Sequence, residues 1–191
     1  MKKYHKVILT DCDGVLLNWG YAFDVWMEQK GYLVKDPDAY DVGKIYGLSR
    51  TKSKELVRLF NESAAIGFLP PLRDAVEYVR KLHEEHGYVF HVITSLSKDQ
   101  NAQKLRTKNL RKVFGKTAIE KFIYLDTGAD KDEVLAQYED TEYVWVEDKV
   151  ENAYAGAKVG LECLVMEHSF NMDNKEFPLM KNWKDIYEFL T

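Results

Sequence analysis

Residues 7–16 read VILTDCDGVL, a short apolar run that ends in two carboxylates and a glycine. Aliphatic and β-branched residues before Asp11 are typical of a buried strand. Gly14 permits the tight backbone turn that carries the chain away from such a strand. We therefore predict a strand over Val7 to Thr10, with Asp11 and Asp13 just beyond its carboxyl end.

Five apolar runs of this kind alternate with amphipathic stretches of helical period. The runs are Val7 to Thr10, Tyr88 to Thr94, Phe122 to Leu125, Tyr143 to Glu147, and Cys163 to Met166. The helical stretches cover 72–86, 98–113, 132–138, 150–159 and 183–190. This alternation predicts an α/β fold, a doubly wound, Rossmann-like parallel sheet of five strands with crossover helices.

The segment 17–71 interrupts the alternation, because it contains two helix-like stretches, Tyr21 to Lys30 and Ser49 to Ile66, and no strand pattern. We predict a small helical cap at 17–71, inserted after strand one into a core domain formed by 1–16 and 72–191. An insert at that point lies over the carboxyl ends of the strands, where open α/β sheets bind ligands.

The composition is that of a soluble globular protein, with 46% hydrophobic residues, 30% charged residues and a net charge of −4 over 191 residues. The chain has no excess of basic residues, so its composition does not indicate a nucleic-acid partner. Cys12 and Cys163 are too few for a disulfide framework, so we expect reduced thiols. The N-terminal apolar run is too short for a signal peptide or a membrane span, and we expect a cytoplasmic protein with no membrane partner.

Polar residues with chemical potential fall at the ends of the predicted strands. They are Asp11 and Asp13 after the first strand, Thr94 and Ser95 after the second, Lys131 before the helix that precedes the fourth, and Glu147 and Asp148 at the end of the fourth. Clustered carboxylates imply a hard divalent cation, and a lysine with a hydroxyl implies an anion. Each residue alone is also compatible with a turn, a helix cap or a solvated charge. Their coincidence at one sheet edge favours a site.

In this order the residues resemble the four motifs of the haloacid dehalogenase (HAD) superfamily. The first motif, an apolar strand followed by Asp-x-Asp-Gly, matches residues 7–15, and the second, an apolar strand ending in Thr or Ser, matches 92–94. Lys131 matches the third motif, and the acidic pair Glu147-Asp148 matches the fourth. The resemblance covers Lys6 to about Met166, and the insert only by its position and helical character.

The resemblance implies a magnesium-dependent phosphatase in which Asp11 attacks phosphorus and forms an aspartyl-phosphate. Asp13 would protonate the leaving oxygen and later activate water, which lets one carboxylate serve as acid and then base. Thr94 and Lys131 would hold the phosphoryl oxygens. Mg²⁺ would be bound by the Asp11 side chain, the Asp13 carbonyl and Asp148, with Glu147 reaching it through water.

Within the superfamily the chain is similar to the 5'(3')-deoxyribonucleotidases and related nucleoside monophosphate phosphatases. Residues 94–98, Thr-Ser-Leu-Ser-Lys, fit their second motif and make Ser95 and Lys98 candidate substrate contacts. Glu147 departs from the Asp that these proteins carry. In the aromatic-rich insert, Trp19 and Arg50 are the candidate contacts for a base and a phosphate.

Several substrates and activities stay open at this point. A nucleoside 5'-monophosphate is favoured, while a sugar phosphate, phosphoglycolate or the end of a polynucleotide is the alternative. Phosphotransfer to an acceptor other than water would use the same motifs. A binding protein with an inactive site is the remaining class, and the intact set of acids, hydroxyl and lysine argues against it.

Overall fold

The computed structural model describes residues 6–191, so the first five residues of the predicted core segment 1–16 lie outside it. Six strands are present in this range: β1 Val7–Thr10, β2 Val89–Ser95, β3 Ile119–Leu125, β4 Val144–Glu147, β5 Glu162–Met166 and β6 Leu179–Met180. Eight α-helices accompany them: α1 Trp19–Glu28, α2 Val42–Tyr46, α3 Arg50–Asn61, α4 Ala75–Glu84, α5 Gln100–Phe114, α6 Asp132–Leu135, α7 Val150–Lys158 and α8 Trp183–Leu190.

The strands form one parallel sheet in the order β3-β2-β1-β4-β5-β6. This confirms the predicted doubly wound α/β fold, with β1 between β2 and β4. The predicted number of five strands was wrong by one. The sixth strand, Leu179–Met180, has only two residues, which is too short to show an alternating pattern in the sequence.

Hydrophobic residues cover both faces of the sheet. Ile8 and Phe90 point to the face that packs against α4, α5 and α8, whereas Leu9, Ile93 and Trp145 belong to the cluster on the opposite face. Such two-sided burial explains why the strands read as continuous apolar runs rather than as alternating ones. β3 starts at Ile119, three residues earlier than predicted. It is an edge strand, and its second and third residues are exposed and charged, so the start of the strand does not read as an apolar run in the sequence.

The segment between β1 and α4 is helical and contains α1, α2, α3 and a 3-10 turn at Ala64–Gly67. Its helices pack through aromatic side chains, with the Phe23 and Phe60 ring centroids 5.2 Å apart. Helix α2 was not predicted; it begins where the Asp41 side chain accepts the Lys44 N–H and ends at Gly47, which has φ +65°.

The two ends of this helical segment lie side by side. The Asn18 N–H donates to the Pro70 carbonyl at 2.8 Å, and the Leu72 N–H donates to the Leu16 carbonyl at 2.9 Å. The segment is therefore attached where β1 ends, beside the carboxyl ends of the central strands. No helix among residues 6–191 combines the length and the apolar character required to cross a lipid bilayer.

Candidate active site

Three buried carboxylates meet at the carboxyl ends of the two central strands. Asp11 follows β1, Glu147 is the last residue of β4, and Asp148 comes directly after it. One oxygen from each side chain lies within 4.8 Å of the other two. Oxygen ligands at this spacing suit a hard divalent cation such as Mg²⁺, and close carboxylates of this kind repel each other without one.

Lys131 lies between two of these acids. Its Nζ is 2.9 Å from Asp11 Oδ1 and 2.7 Å from Glu147 Oε2, and its side chain is 2% exposed. Glu147 is also fully buried and accepts hydrogen bonds from the Asn152 side chain and from the backbone N–H groups of residues 148 and 149. One lysine against three acids leaves the cluster two negative charges in excess when all are ionised, which a divalent cation would offset.

The pKa values of the three acids differ because their partners differ. Burial raises the pKa of Asp11 to about 7, even though Lys131 opposes the change. Burial, followed by repulsion from Glu147 and Asp11, raises the pKa of Asp148 well above its ordinary value. Burial acts in the same direction on Glu147, but its contacts with Lys131 and the backbone hold its pKa below the usual range. The positive charge already present thus satisfies Glu147 and leaves the other two acids under-compensated.

The turn after Asp11 requires a glycine. Gly14 has φ +75°, and a Cβ built on it would lie 2.1 Å from Asp148 Oδ2. Its carbonyl accepts a hydrogen bond of 2.7 Å from His168 Nε2, and Asn171 Nδ2 donates to the Asp148 carbonyl at 2.8 Å. The backbone of the first acidic turn and that of the second are therefore fixed against each other by the segment after β5.

The Asp13 side chain is 23% exposed and forms an ion pair with Arg106, a fully buried residue of α5. Arg106 Nη1 also donates to Cys12 Sγ at 2.9 Å, while Nε and Nη2 have no hydrogen-bond partner within residues 6–191. The sequence analysis missed this residue. A signal existed, because Ala102, Arg106 and Leu110 share the i, i+4 spacing of the buried stripe of α5.

Two of the predicted second-motif residues lie at the end of β2. Thr94 is 1% exposed, lines the site cavity, and its hydroxyl has no hydrogen-bond partner among the described residues. Ser95 also lines the cavity, but its hydroxyl donates to the Ala129 carbonyl at 2.7 Å. Lys98 and Arg50 are exposed and are not part of the lining.

The carboxylates open into a cavity of about 880 Å³ that the helical segment covers. Trp19 lines it, yet most of this side chain serves packing: its ring stacks on Phe23 at 4.5 Å, and Nε1 donates to Asn61. Cationic side chains missed by the sequence analysis line the same cavity, namely Lys54, Arg58 and Lys149.

An aromatic wall that the sequence did not indicate lies beside the acids. The Tyr40 ring contacts Phe170 at 4.9 Å, and Phe170 stacks on His168 at 5.1 Å with 4° between the ring planes. Tyr40 lines the same cavity as Asp11 and Asp148, with 53% of its surface exposed. Tyr40 therefore reaches from the helical segment to the carboxylate cluster, which no local pattern in the sequence predicts.

The search against protein-family models found no match. A segment of the chain is 28% identical over 114 residues to an uncharacterized 32.4 kDa protein of the Gp30–rIII intergenic region of Enterobacteria phage T4. The match covers 56% of this chain and 40% of the phage protein, so the chain corresponds to less than half of that relative.

Solved structures match the whole described fold. A haloacid dehalogenase-like hydrolase from Streptococcus pneumoniae superposes with a TM-score of 0.66 at 14% identity over 100% of both chains. The HAD hydrolase YfnB from Bacillus subtilis, solved bound to magnesium, gives 0.63 at 14% identity over 98% of this chain and 99% of its own. D,D-heptose 1,7-bisphosphate phosphatase from Burkholderia thailandensis superposes with a TM-score of 0.59 at 11% identity, over 98% of this chain and 99% of its own. The chain therefore has the HAD-like α/β fold.

Proposed function

We propose that this protein is a magnesium-dependent phosphomonoester hydrolase in which Asp11 is the nucleophile. The observation that carries this proposal is the position of Asp11, buried in a carboxylate cluster and ion-paired to Lys131 at the carboxyl ends of the central strands. The HAD-like fold and the phosphatases and hydrolases that share it support the same activity. In this proposal residues 1–16 and 72–191 form the catalytic core, and 17–71 form a cap over it.

Asp11, Asp148, the Asp13 carbonyl and, through water, Glu147 would hold the magnesium ion. Their oxygen donors fit this ion, and their mutual repulsion without it supports the assignment. When bound, Mg²⁺ neutralises negative charge on the phosphoryl oxygens and so lets a carboxylate approach the phosphorus atom.

In the first step, an Asp11 oxygen attacks phosphorus and the bond from phosphorus to the ester oxygen breaks, which gives an aspartyl-phosphate and an alcohol. Among the described residues only one carboxyl oxygen of Asp13 is ion-paired, and the side chain is partly exposed in the cavity, so in this proposal Asp13 gives its proton to the departing oxygen. In the second step, Asp13 takes a proton from water while that water attacks phosphorus. Inorganic phosphate leaves and the Asp11 carboxylate is restored.

Lys131 and Thr94 bind the phosphoryl oxygens in this proposal. The ammonium of Lys131 is already fixed by two carboxylates, so no reorganisation is needed when charge develops in the transition state. The Thr94 hydroxyl is buried and free to donate. Lys131 also lowers the repulsion between the phosphate group and the Asp11 carboxylate, which both steps require.

A nucleoside 5'-monophosphate is the substrate that we propose. Its support is a cavity of about 880 Å³, inside the range that holds drug-sized ligands, with aromatic rings from Tyr40 and Trp19 and cations from Lys54 and Arg58 on one lining. Aromatic faces stack bases, and cations meet phosphate or ring carbonyl oxygens. Ser95 keeps its proposed role as a contact on the site wall, whereas Lys98 and Arg50 would require movement to reach the cavity.

The test is release of inorganic phosphate from nucleoside 5'- and 3'-monophosphates, sugar phosphates and phosphoglycolate, with Mg²⁺ and with chelator. We expect magnesium-dependent release that is highest for 5'-nucleotides and is abolished in Asp11→Asn. Asp173→Asn, at an exposed position, is the matched control and keeps full activity. Turnover by Asp11→Asn near the wild-type rate would refute the covalent mechanism, and release confined to the other esters would refute the nucleotide substrate.

A further inference from the structure

A second cavity, about 780 Å³ in volume, runs along the outer side of helix α5 beside strand β3. We name it the α5 groove, and no acidic residue lines it. Its lining consists of Gln100, Gln103, Lys104, Thr107, Lys108, Arg111, Lys112, Lys116 and Tyr124. Five of these nine side chains are cations, so the groove is a concentrated positive surface on a protein of net charge −4.

The sequence around α5 is unusually basic for this chain. Residues 98–121 carry eight Lys and Arg against two Asp and Glu, an excess of six positive charges. Because the whole chain has a net charge of −4, its other residues carry ten more acids than cations. A charge asymmetry of this size within one chain is typical of a surface that binds a polyanion.

Among the residues that the structure describes, the cations of the α5 groove have no acidic partner. None of the five forms an ion pair with any residue among 6–191, although the partly exposed Lys52 and Lys81 each pair with a glutamate on their own helix. Lys104, Lys108 and Lys112 are spaced four residues apart, so they project from one side of α5. Five unpaired cations on one surface repel each other and would gain from an anionic partner that meets several of them together.

Aromatic side chains lie among these cations. The Tyr124 ring forms part of the groove, and its hydroxyl is 2.7 Å from Thr107 Oγ1. Phe122 lies nearly parallel to Tyr124, with 11° between their planes, and the Arg111 guanidinium sits 5.4 Å from the Phe122 ring centroid. A positive groove with an aromatic platform is the combination that binds single-stranded nucleic acid, since the cations follow the phosphates and a ring stacks a base.

The groove is adjacent to the candidate active site. Tyr124 lines the groove, and Thr127, three residues later, lines the site cavity. Three residues of extended chain span at most about 11 Å, so these two lining residues are close together. Helix α5 also connects them directly, because its inner face carries Arg106, which contacts Asp13. A strand that lies in the groove can therefore present its end to the carboxylate cluster.

We propose that the α5 groove binds single-stranded nucleic acid and that the site, besides a nucleoside 5'-monophosphate, also accepts the terminal 5'-phosphate of such a strand. The second part rests on the proposed phosphatase function, and a strand ending in a 5'-phosphate presents the same chemical unit as a nucleoside 5'-monophosphate. The sequence-wide net charge predicted no nucleic-acid partner; the local distribution of charge in the structure argues for one.

The experiment measures binding of an unphosphorylated, fluorescently labelled oligothymidylate of about 12 nucleotides by anisotropy, from about 50 to 200 mM salt. The test variant carries Lys104→Gln, Lys108→Gln and Lys112→Gln. The control variant carries three Lys→Gln changes at exposed positions outside the groove, namely 30, 158 and 175. Glutamine keeps an unbranched polar side chain and a similar helix propensity while it removes the charge.

We expect the wild type and the control variant to bind with the same salt dependence, and the test variant to bind at least about tenfold more weakly at low salt. The slope of log K against log salt should become about 2 units shallower, because each phosphate contact on a single strand contributes about 0.7. No binding by the wild type, equal loss in both triple variants, or binding to anionic lipid vesicles without binding to the oligonucleotide would overturn the groove assignment.

Phosphate release separates this proposal from the proposed function. With a 5'-phosphorylated oligonucleotide, the test variant should show a raised KM, while its rate on a nucleoside 5'-monophosphate stays at the wild-type value. If the wild type binds the oligonucleotide with the expected slope but releases phosphate from no ester, the groove assignment stands and the phosphatase proposal is wrong.

Discussion

Asp11→Asn should stabilise the metal-free protein at neutral pH. Asp11 is 7% exposed, lies within 4.8 Å of two other carboxylates, and has a folded-state pKa raised to about 7, chiefly by burial. In the unfolded chain the same group ionises near 3.8. Folding therefore disfavours the charged form of Asp11, and asparagine removes this charge while it keeps the shape of the side chain.

The sign of the pH dependence follows from these two values. An acid whose pKa is higher in the folded state than in the unfolded state binds more protons when folded, so stability is lost as pH rises from about 4 to about 7. One pKa unit corresponds to about 1.4 kcal/mol, and the shift of Asp11 covers about three units. Between pH 5 and pH 7.5 the advantage of Asp11→Asn should grow by about 2 to 3 kcal/mol.

The assay is urea unfolding with chelator present, at pH 5 and at pH 7.5, for the wild type, Asp11→Asn and Asp173→Asn. Asp173 is exposed in the loop after β5, so its variant should match the wild type at both pH values. Added Mg²⁺ should stabilise the wild type at pH 7.5, because a ligand that binds only the folded state adds stability. The same addition should have a much smaller effect on Asp11→Asn.

Two results would refute this reasoning. A difference between wild type and Asp11→Asn that is the same at pH 5 and pH 7.5 would show that the Asp11 carboxylate is not under electrostatic stress in the folded protein. Equal stabilisation of both proteins by Mg²⁺ would show that Asp11 is not a ligand of the ion. Either result would remove the physical basis of the metal site.

Three further substitutions test the site geometry. Gly14→Ala places a Cβ 2.1 Å from a carboxylate oxygen of the cluster, so it should weaken Mg²⁺ binding in a calorimetric titration and destabilise the fold by about 1 to 3 kcal/mol. Gly87→Ala has the same left-handed backbone with open space around it and should leave Mg²⁺ affinity unchanged. Arg106→Met removes the only ion-pair partner that the structure describes for the proposed general acid, and should lower kcat at least tenfold, on the order of 1.4 kcal/mol, with little change in KM. Arg80→Met, at an exposed position of helix α4, is its control, and an unchanged kcat in Arg106→Met would contradict the positioning role. Lys131→Ala should raise the activation free energy of phosphate release by roughly 2 kcal/mol or more. It should also destabilise the fold, since two buried carboxylates lose their cation. An unchanged rate would mean that this lysine does not contact the phosphate.

The position of the carboxylate cluster was predictable because it follows from a local rule. Asp11 and the Glu147-Asp148 pair each end an apolar run, and the ends of parallel strands meet at one sheet edge. Lys131 was assigned from its resemblance to a motif, and its contacts with two of the acids became visible only in three dimensions.

Other features could not be read from the chain, for physical reasons. The Tyr40–Phe170 contact joins residues 130 positions apart through the fold of the helical segment, and no periodicity encodes such a pairing. β6 is too short to produce a pattern. Arg106, in contrast, could have been identified from the sequence. A cation in the buried stripe of a helix requires an acidic partner, and the acids after β1 are candidates for it.

The two faces of α5 show how the net charge of a chain can conceal a local cationic surface. The inner face delivers Arg106 to Asp13, where a buried guanidinium is balanced by a carboxylate. The outer face carries Lys104, Lys108 and Lys112, which line a groove that has no acid among its described lining residues. The net charge of −4 does not reveal these cations, because acids elsewhere in the chain outnumber them. A partner bound to this face, however, interacts mainly with charges within about 10 Å and is screened from more distant ones. The local charge on this helix, next to the site where we propose phosphate chemistry, is therefore the basis on which we propose a polyanionic partner.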